Sequence, residues 1–316
     1  MILVTGGAGF IGSHVCDKLL DEGNTVICVD DFNDYYDPKI KESNIKTCLS
    51  NRRFKLYRHD IRDSDKLKKI FEENRIKKII HLAARAGVRA SINNPKLYHE
   101  VNAGGTLNLL ELAKKFKIDN FVFSSSSSVY GINKKVPFSE NDEVNNQISP
   151  YAVTKRIGEL LCNLYHKTYN LNITCLRLFT VYGPRNRPDM ALYKFTQSID
   201  KGEELIMFGD GNSERDYTYV DDAVSAIMSA TKNKFGFEII NIGNSKRIGL
   251  RDFILTIENA LGKKAKIRKM KLQEGDVPLT YAGISKAKKL LKYNPKMKFE
   301  EGIKNFVEWY KNMSLV

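Results

Sequence analysis

The chain of 316 residues, with 42% apolar and 10% aromatic residues, has a composition ordinary for a globular protein and is long enough for one two-lobed unit or two small domains. Its 51 Lys and Arg against 37 Asp and Glu give a formal charge of +14, which invites a nucleic-acid partner. That partner is not expected, because the basic residues are dispersed (KLKKIFEENRIKKII, GKKAKIRKMK) and mixed with Glu, as on solvated helix faces; an anionic small substrate fits the charge equally well.

In chain order, ILVTG (2–6) is a short apolar strand that runs straight into glycines. FIGSHVCDKLLDEG (10–23) has helical spacing through Phe10, Ile11, His14, Val15 and Leu19 and ends at Gly23, and NTVICVDD is a second strand with acidic residues at its C-terminal end. This is the length of one strand–helix–strand crossover. FKLYRHDI predicts a strand, Ser64–Asn74 a helix, KKIIHLAA a buried strand, GGTLNLLELAKKF a helix and NFVFSSS a strand. A polar loop (Ile132–Ile148), a helix from about Pro150 to Tyr169 and a strand ITCLRLF follow. Strands alternating with helices predict an α/β fold, a Rossmann-like doubly wound parallel sheet. After Phe179 the pattern turns to loops rich in Gly, Pro, Asn and Asp. The expected division is a dinucleotide-binding domain over 1–178 and a smaller substrate lobe over 179–316, with some later segments returning to the first.

No apolar run approaches the roughly 18 residues of a membrane span, and MILVTGGAGF has neither a basic leader nor a cleavage site. Five dispersed cysteines (Cys16, Cys28, Cys48, Cys162, Cys175) form no CxxC pair and are expected as reduced core thiols. A soluble, cytoplasmic protein without a membrane partner is therefore expected. The five histidines show no metal-ligand spacing, so no catalytic metal is expected.

GGAGFIG places Gly6, Gly9 and Gly12 directly after a strand and at the start of a helix. Glycines there allow the tight turn, the approach of backbone N–H groups to a pyrophosphate, and close packing of helix on sheet. Asp30, eighteen residues beyond Gly12, stands where a carboxylate accepts from adenosine ribose hydroxyls. Asp30 and Asp31 would repel a 2′-phosphate, and no basic residue is evident beside them, so NAD is the expected cofactor.

SPYAVTK supplies Tyr151 and Lys155 at i and i+4, on one helical face, with Ser149 as N-cap and Pro150 as first helical residue. A phenol is a poor base at neutral pH, but a lysine ammonium and a charged nicotinamide both favour phenolate. The pair suits removal of a hydroxyl proton while hydride leaves the same carbon.

With the glycine loop, SSSSSVYG (124–131) and YxxxK together, the chain resembles the extended short-chain dehydrogenases/reductases of the nucleotide-sugar epimerase type over essentially its whole length. The resemblance makes Ser126, four residues before Tyr130, the catalytic serine beside Tyr151 and Lys155. It places Ser127 and Ser128 at the sugar, and Ser124 and Ser125 in the strand end and its backing. Related dehydratases and decarboxylases carry an acid at the position of Ser128; without one, epimerisation is the expected reaction. Phe10 and Ile11 in the glycine loop, Asn33 after the acidic pair, Asp60 and Ile61, then Leu82, Ala83 and Ala84 fall at cofactor positions. Asn102 falls where the family has a structural or cofactor-side Asn.

DDFNDYYDPKIK, AGVRAS, FTVYGPRNRPDMA and EGDVPLTYAG look most like the UDP-glucuronate 4-epimerase subgroup. That resemblance implies C4 epimerisation of a UDP-sugar through a 4-keto intermediate. It implies a carboxylate pocket from Arg187, Thr180, Ser127 and Ser128, with neighbouring Phe179, Arg89 as a second candidate, and Arg215 on the diphosphate. A homodimer is expected from apolar helices around Leu107–Phe116 and Ile157–Tyr169. The alternatives are a UDP-glucose/UDP-galactose 4-epimerase, against which Gln273 weighs because UDP-galactose 4-epimerases often have a diphosphate-binding Arg there, and a UDP-N-acetylhexosamine 4-epimerase. A non-catalytic NAD-binding sensor is the remaining alternative; such proteins often lose the Tyr that is kept here.

Overall fold

Leu3 and Val4 point to opposite faces of one strand and end in different hydrophobic cores, as do Ile79 and Ile80, and Phe121 and Val122. Side chains alternate across a strand, so strands covered on both faces read as unbroken apolar runs. The computed structural model describes residues 1–271 and 277–313. In it β1 (Ile2–Thr5), β2 (Val26–Asp30), β3 (Phe54–Arg58), β4 (Lys78–His81), β5 (Asn120–Ser126), β6 (Ile173–Leu178) and the strand Phe237–Ile242 form one sheet. Their order is β3-β2-β1-β4-β5-β6 and then Phe237–Ile242, parallel throughout. This is the α/β, Rossmann-like architecture the alternating elements predict.

The chain adds β2 and β3 on one side of β1, then crosses to add β4, β5 and β6 on the other. At such a switch point the crossover loops part and leave a crevice at the C-terminal strand ends. α1 (Phe10–Asp21) and the helix Val220–Lys232 cover one face, and the long helix Pro150–Tyr169 lies on the other with Gly105–Lys115. Each fully buried Leu, Ile or Phe in these faces contributes about 1.5–3 kcal/mol by leaving water.

The long helix starts where its sequence says: the Ser149 hydroxyl accepts from the Ala152 N–H at 3.2 Å, and Pro150 takes the first turn. It ends at Asn170, in the left-handed conformation with φ 55°. Sequence periodicity missed the short helix Pro38–Asn44, capped by Asp37, and the helix Val88–Asn93, both too brief to show a period. Beyond Phe179 the chain builds small two-stranded sheets, returns to the main sheet at Phe237–Ile242, and closes with the helix Phe299–Met313. All five cysteines are free and buried. Among the described residues no helix is long and apolar enough to cross a membrane, and no cluster of side chains could hold a metal ion.

Candidate active site

The glycine loop has no room for side chains. A Cβ at Gly12 would overlap the Gly6 carbonyl oxygen, and one at Gly6, where φ is +70°, would lie 2.7 Å from the Ala83 amide nitrogen. A Cβ at Gly9 meets only that same Gly6 oxygen, at 3.3 Å, so its other sides open onto the cleft. α1 begins with no side-chain cap, which leaves its first N–H groups for an anion. Gly6, Gly9, Phe10, Ile11 and Gly12 thus form one end of a cleft over the strand ends. Asp30, Asp31 and Asn33 line it after β2, Asp60 and Ile61 after β3, and Leu82, Ala83 and Ala84 after β4. Tyr151 and Lys155 close the far end. These residues suit an extended dinucleotide: a phosphate cradle at the helix start, acceptors at the ribose, and a buried phenol where a nicotinamide would lie.

Asp30 is 6% exposed and accepts from the Ala8 and Phe32 N–H groups at 3.1 and 3.0 Å. Burial raises its carboxyl, against the pull of Lys41 and those two N–H groups. The expectation that no basic residue stands beside Asp30 is wrong. Lys41 Nζ is 3.6 Å from Asp30 and 3.9 Å from Asp31, and donates to the Asn33 carbonyl at 3.3 Å. Eleven residues along, on a helix too short to show a period, Lys41 looked like any solvated lysine. Two carboxylates still outweigh one ammonium, so this edge stays hostile to a 2′-phosphate.

Lys155 is anchored on the strand that carries the serines. Its ammonium donates to the Ser124 carbonyl at 2.6 Å and lies 5.9 Å from the Tyr151 ring centre. Burial pulls its pKa down to about 8, opposed by the Glu159 charge. Burial pushes the Tyr151 phenol up, while a hydrogen bond with Ser126 and the Arg187 charge pull it back. The Arg187 charge therefore acts on the phenol in addition to the expected lysine, whose ammonium lies over the same ring. The Ser126 hydroxyl donates to Ser128 Oγ and accepts from its N–H, both at 3.1 Å, which ties Ser126 to Ser128.

Ser125 faces away from the cleft. Its hydroxyl donates to Glu159 at 2.6 Å, and Arg177 on β6 pairs with both oxygens of that carboxylate at 2.8 and 2.9 Å. Arg156 adds a second cation at 3.0 Å. This buried knot ties the strand carrying Ser124 and Ser126 to the helix carrying Tyr151 and Lys155. Sequence reading gave Ser125 a backing role without seeing its partners, which lie 34 and 52 positions downstream.

The expected carboxylate pocket is only partly assembled. Ser127, Ser128, Thr180 and Arg215 line one cavity; Arg89, Thr180 and Arg215 line the neighbouring one, of about 740 Å³. Arg187 lies instead in the cleft with Tyr151, paired with Asp189 at 2.8 and 2.9 Å. Arg89 stacks on Phe208, 4.9 Å from its ring centre, and Arg215 donates to the Glu214 and Pro278 carbonyls at 2.9 and 3.3 Å. Phe179 is not a contact side chain: it is 2% exposed and packed with Tyr130 and Phe138. Asn102 is not a cofactor contact either. Its amide is spent on the Arg85 N–H and carbonyl, at 2.8 and 3.0 Å, and on Thr154 at 3.0 Å, so it braces the loop beneath the cleft. Gln273 lies outside the described residues.

Fold and cleft together define an extended short-chain dehydrogenase/reductase. The chain belongs to the family described as GDP-mannose 4,6 dehydratase, whose match covers residues 3–306. It is 45% identical to a UDP-glucuronate 4-epimerase of Thermodesulfobacterium geofontis over 99% of this chain and 97% of that protein. Among solved structures it is similar to UDP-glucuronic acid 4-epimerase from Bacillus cereus, in complex with UDP-glucuronic acid and NAD, with a TM-score of 0.94, 39% identity and 99% of each chain covered. It is also similar to a UDP-glucose 4-epimerase with UDP-glucose from Thermotoga maritima, with a TM-score of 0.91, 36% identity and 99% of each chain covered.

Proposed function

We propose that this chain is an NAD-dependent nucleotide-sugar 4-epimerase, that its substrate is UDP-glucuronate, and that the product is UDP-galacturonate. The observation that carries the reading is the cluster of Ser126, Tyr151 and Lys155 at one end of a dinucleotide cleft, with Ser128 and no acid before Val129-Tyr130-Gly131. A second acid or base is what elimination needs and inversion does not.

Bound NAD supplies a hydride acceptor that later returns the hydride to the same carbon. Tyr151 takes the C4 hydroxyl proton, with Ser126 as the hydrogen-bonding relay between phenol and sugar. Arg187 favours the phenolate by its charge, and Lys155 holds the Ser124 carbonyl, and with it the strand end, in place. The 4-keto sugar turns over in the pocket and offers its other face. Tyr151 then gives the proton back. The 4-keto glucuronate is a β-keto acid, prone to lose CO2 when the breaking bond aligns with the carbonyl π system. Ser127, Ser128 and Thr180 from one cavity, and the Arg187 fork from the adjoining cleft, are the groups that would converge on its carboxylate and hold it out of that alignment.

Arg215 serves the diphosphate, and Arg89 the wall of the large cavity. The segment 179–316 acts mainly as the substrate lobe, and residues 1–178 carry the cofactor. The protein works in the cytoplasm, which suits five free buried thiols, and forms a homodimer through the exposed Leu107, Val153, Leu160 and Leu164.

Purified protein incubated with UDP-glucuronate and no added cofactor should yield an isomer of unchanged mass. Turnover of UDP-glucose but not UDP-glucuronate would leave the epimerase reading and remove the substrate.

A further inference from the structure

Two loops distant in sequence meet at one carboxylate, with a third packed behind them. Arg187 donates from Nε to Asp189 Oδ1 at 2.8 Å and from Nη2 to Oδ2 at 2.9 Å. The Tyr35 hydroxyl, 154 positions earlier on the loop after β2, donates to the same Oδ2 at 3.1 Å. The Tyr35 ring lies 5.9 Å from the guanidinium, within cation–π range. Gly87, on the loop after β4 and with φ +100°, makes the space: a Cβ there would collide with the Tyr35 hydroxyl. Tyr98 donates its hydroxyl to the Ala86 carbonyl, next to Gly87, and sets its ring edge-on to Tyr151, 6.3 Å between centres.

A guanidinium has two hydrogen-bonding edges. Asp189 takes the one formed by Nε and Nη2; the other, formed by Nη1 and the second Nη2 hydrogen, remains for a second carboxylate. An arginine on a loop loses considerable rotamer freedom on binding unless something holds it beforehand. Asp189 is suited to hold it. Burial alone would raise the Asp189 carboxyl, but Arg187 and Tyr35 outweigh it and keep the group ionised.

We propose that Asp189, itself held by Tyr35, is a positioning residue that fixes the Arg187 plane so that its outer edge receives the sugar C6 carboxylate, making the Tyr35–Asp189 pair a determinant of uronate over neutral hexose. This rests on the glucuronate epimerase reading. Arg187 touches the carboxylate; Asp189 and Tyr35 act through it. They also confine its charge to one plane beside the Tyr151 phenol.

The test uses Asp189→Asn and Tyr35→Phe, each made in active enzyme and in a Tyr151→Phe background, where binding of UDP-glucuronate and UDP-glucose is scored whether or not either turns over. Asp189→Asn should weaken UDP-glucuronate binding by about tenfold or more, the size expected for a lost charge-assisted pair, and Tyr35→Phe by about threefold. UDP-glucose binding should change less than about twofold, and retained NAD and an unchanged melting temperature should show an intact fold. In active enzyme both variants should release a larger share of CO2 and pentose product. Equal losses for both sugars, or tighter binding of UDP-glucuronate by Asp189→Asn, overturn the positioning role and leave the epimerase standing. Wild-type protein that turns over no UDP-glucuronate overturns both.

Discussion

The cofactor side and the sugar side of this site are built in different ways. On the proposed cofactor side, many of the lining residues sit at or near the end of a strand whose position in the sheet is fixed by its own hydrophobic pattern: Gly6 after β1, Asp30 ending β2, Leu82 after β4, Ser124 near the end of β5. On the proposed sugar side, the residues come from loops and very short strands, several of them joined by long-range pairs. Tyr35 bonds Asp189, and Arg215 reaches the Pro278 carbonyl. Strand ends are placed by two cores of buried side chains, whereas loop contacts hang on a few hydrogen bonds. Substitutions on the first side should therefore change chemistry with the fold intact, and the joints between elements should show mixed effects.

Tyr151→Phe is the largest expected effect and tests the first half of that contrast. Losing the general base should lower kcat by about 10²–10⁴. The ring stays packed edge-on to Tyr98, so NAD should still co-purify and the melting temperature should hold. A variant with unchanged turnover would mean the phenol is a bystander and revive the sensor reading.

The cofactor side was legible because its signals are local: a glycine spacing, a carboxylate at a strand end, YxxxK on one helical face. Lys41 and Glu159 escaped because each looks like an ordinary helical charge in sequence. Only burial against Asp30, or against Arg177 and Ser125, marks them out. Asp189 and Tyr35 lie in stretches that carry the subgroup resemblance, but nothing local shows that they pair. Phe179 misled in the other direction. It adjoins Thr180 at the cavity wall, but its own side chain turns inward with Tyr130 and Phe138.

Glu159→Gln attacks the joint between strand and catalytic helix and should show both kinds of effect. Arg177 is 1% exposed, so replacing its charged partner by an amide should cost about 3–5 kcal/mol of stability, read by denaturant unfolding. The second effect concerns pH. Glu159 and, more weakly, Cys162 raise the Lys155 pKa against burial, which leaves it at about 8, while the neighbouring His81 is held neutral by its own burial. Lys155 loses its proton as pH rises through that value, so wild-type kcat should begin to fall there. Removing the Glu159 charge lowers the Lys155 pKa and should move the fall to lower pH. A stability loss with an unshifted pH profile would reduce Glu159 to packing. Ser125→Ala, which keeps both charges, should destabilise less and leave the profile in place.

Lys41→Met is the smallest expected effect, and it asks whether the cofactor side depends on a residue that local pattern did not reveal. The methionine keeps most of the volume of a side chain that is 6% exposed and removes only the ammonium near Asp30 and Asp31. Burial already raises the Asp30 carboxyl, and Lys41 is the largest influence lowering it. Without Lys41 the carboxyl should climb further, so that Asp30 takes a proton at a higher pH than in the wild type. A protonated Asp30 has one fewer acceptor for ribose hydroxyls. NAD retention should therefore weaken as pH falls, and the loss should begin at higher pH in the variant. At neutral pH the change should stay within about tenfold, since Asp30 keeps its two backbone N–H partners. NADP affinity should not rise, because the substitution leaves two carboxylates where a 2′-phosphate would sit. Retention that is equal in both proteins across the acid range would show that the two N–H groups hold Asp30 ionised by themselves, and that the cofactor side is as local as its sequence made it look.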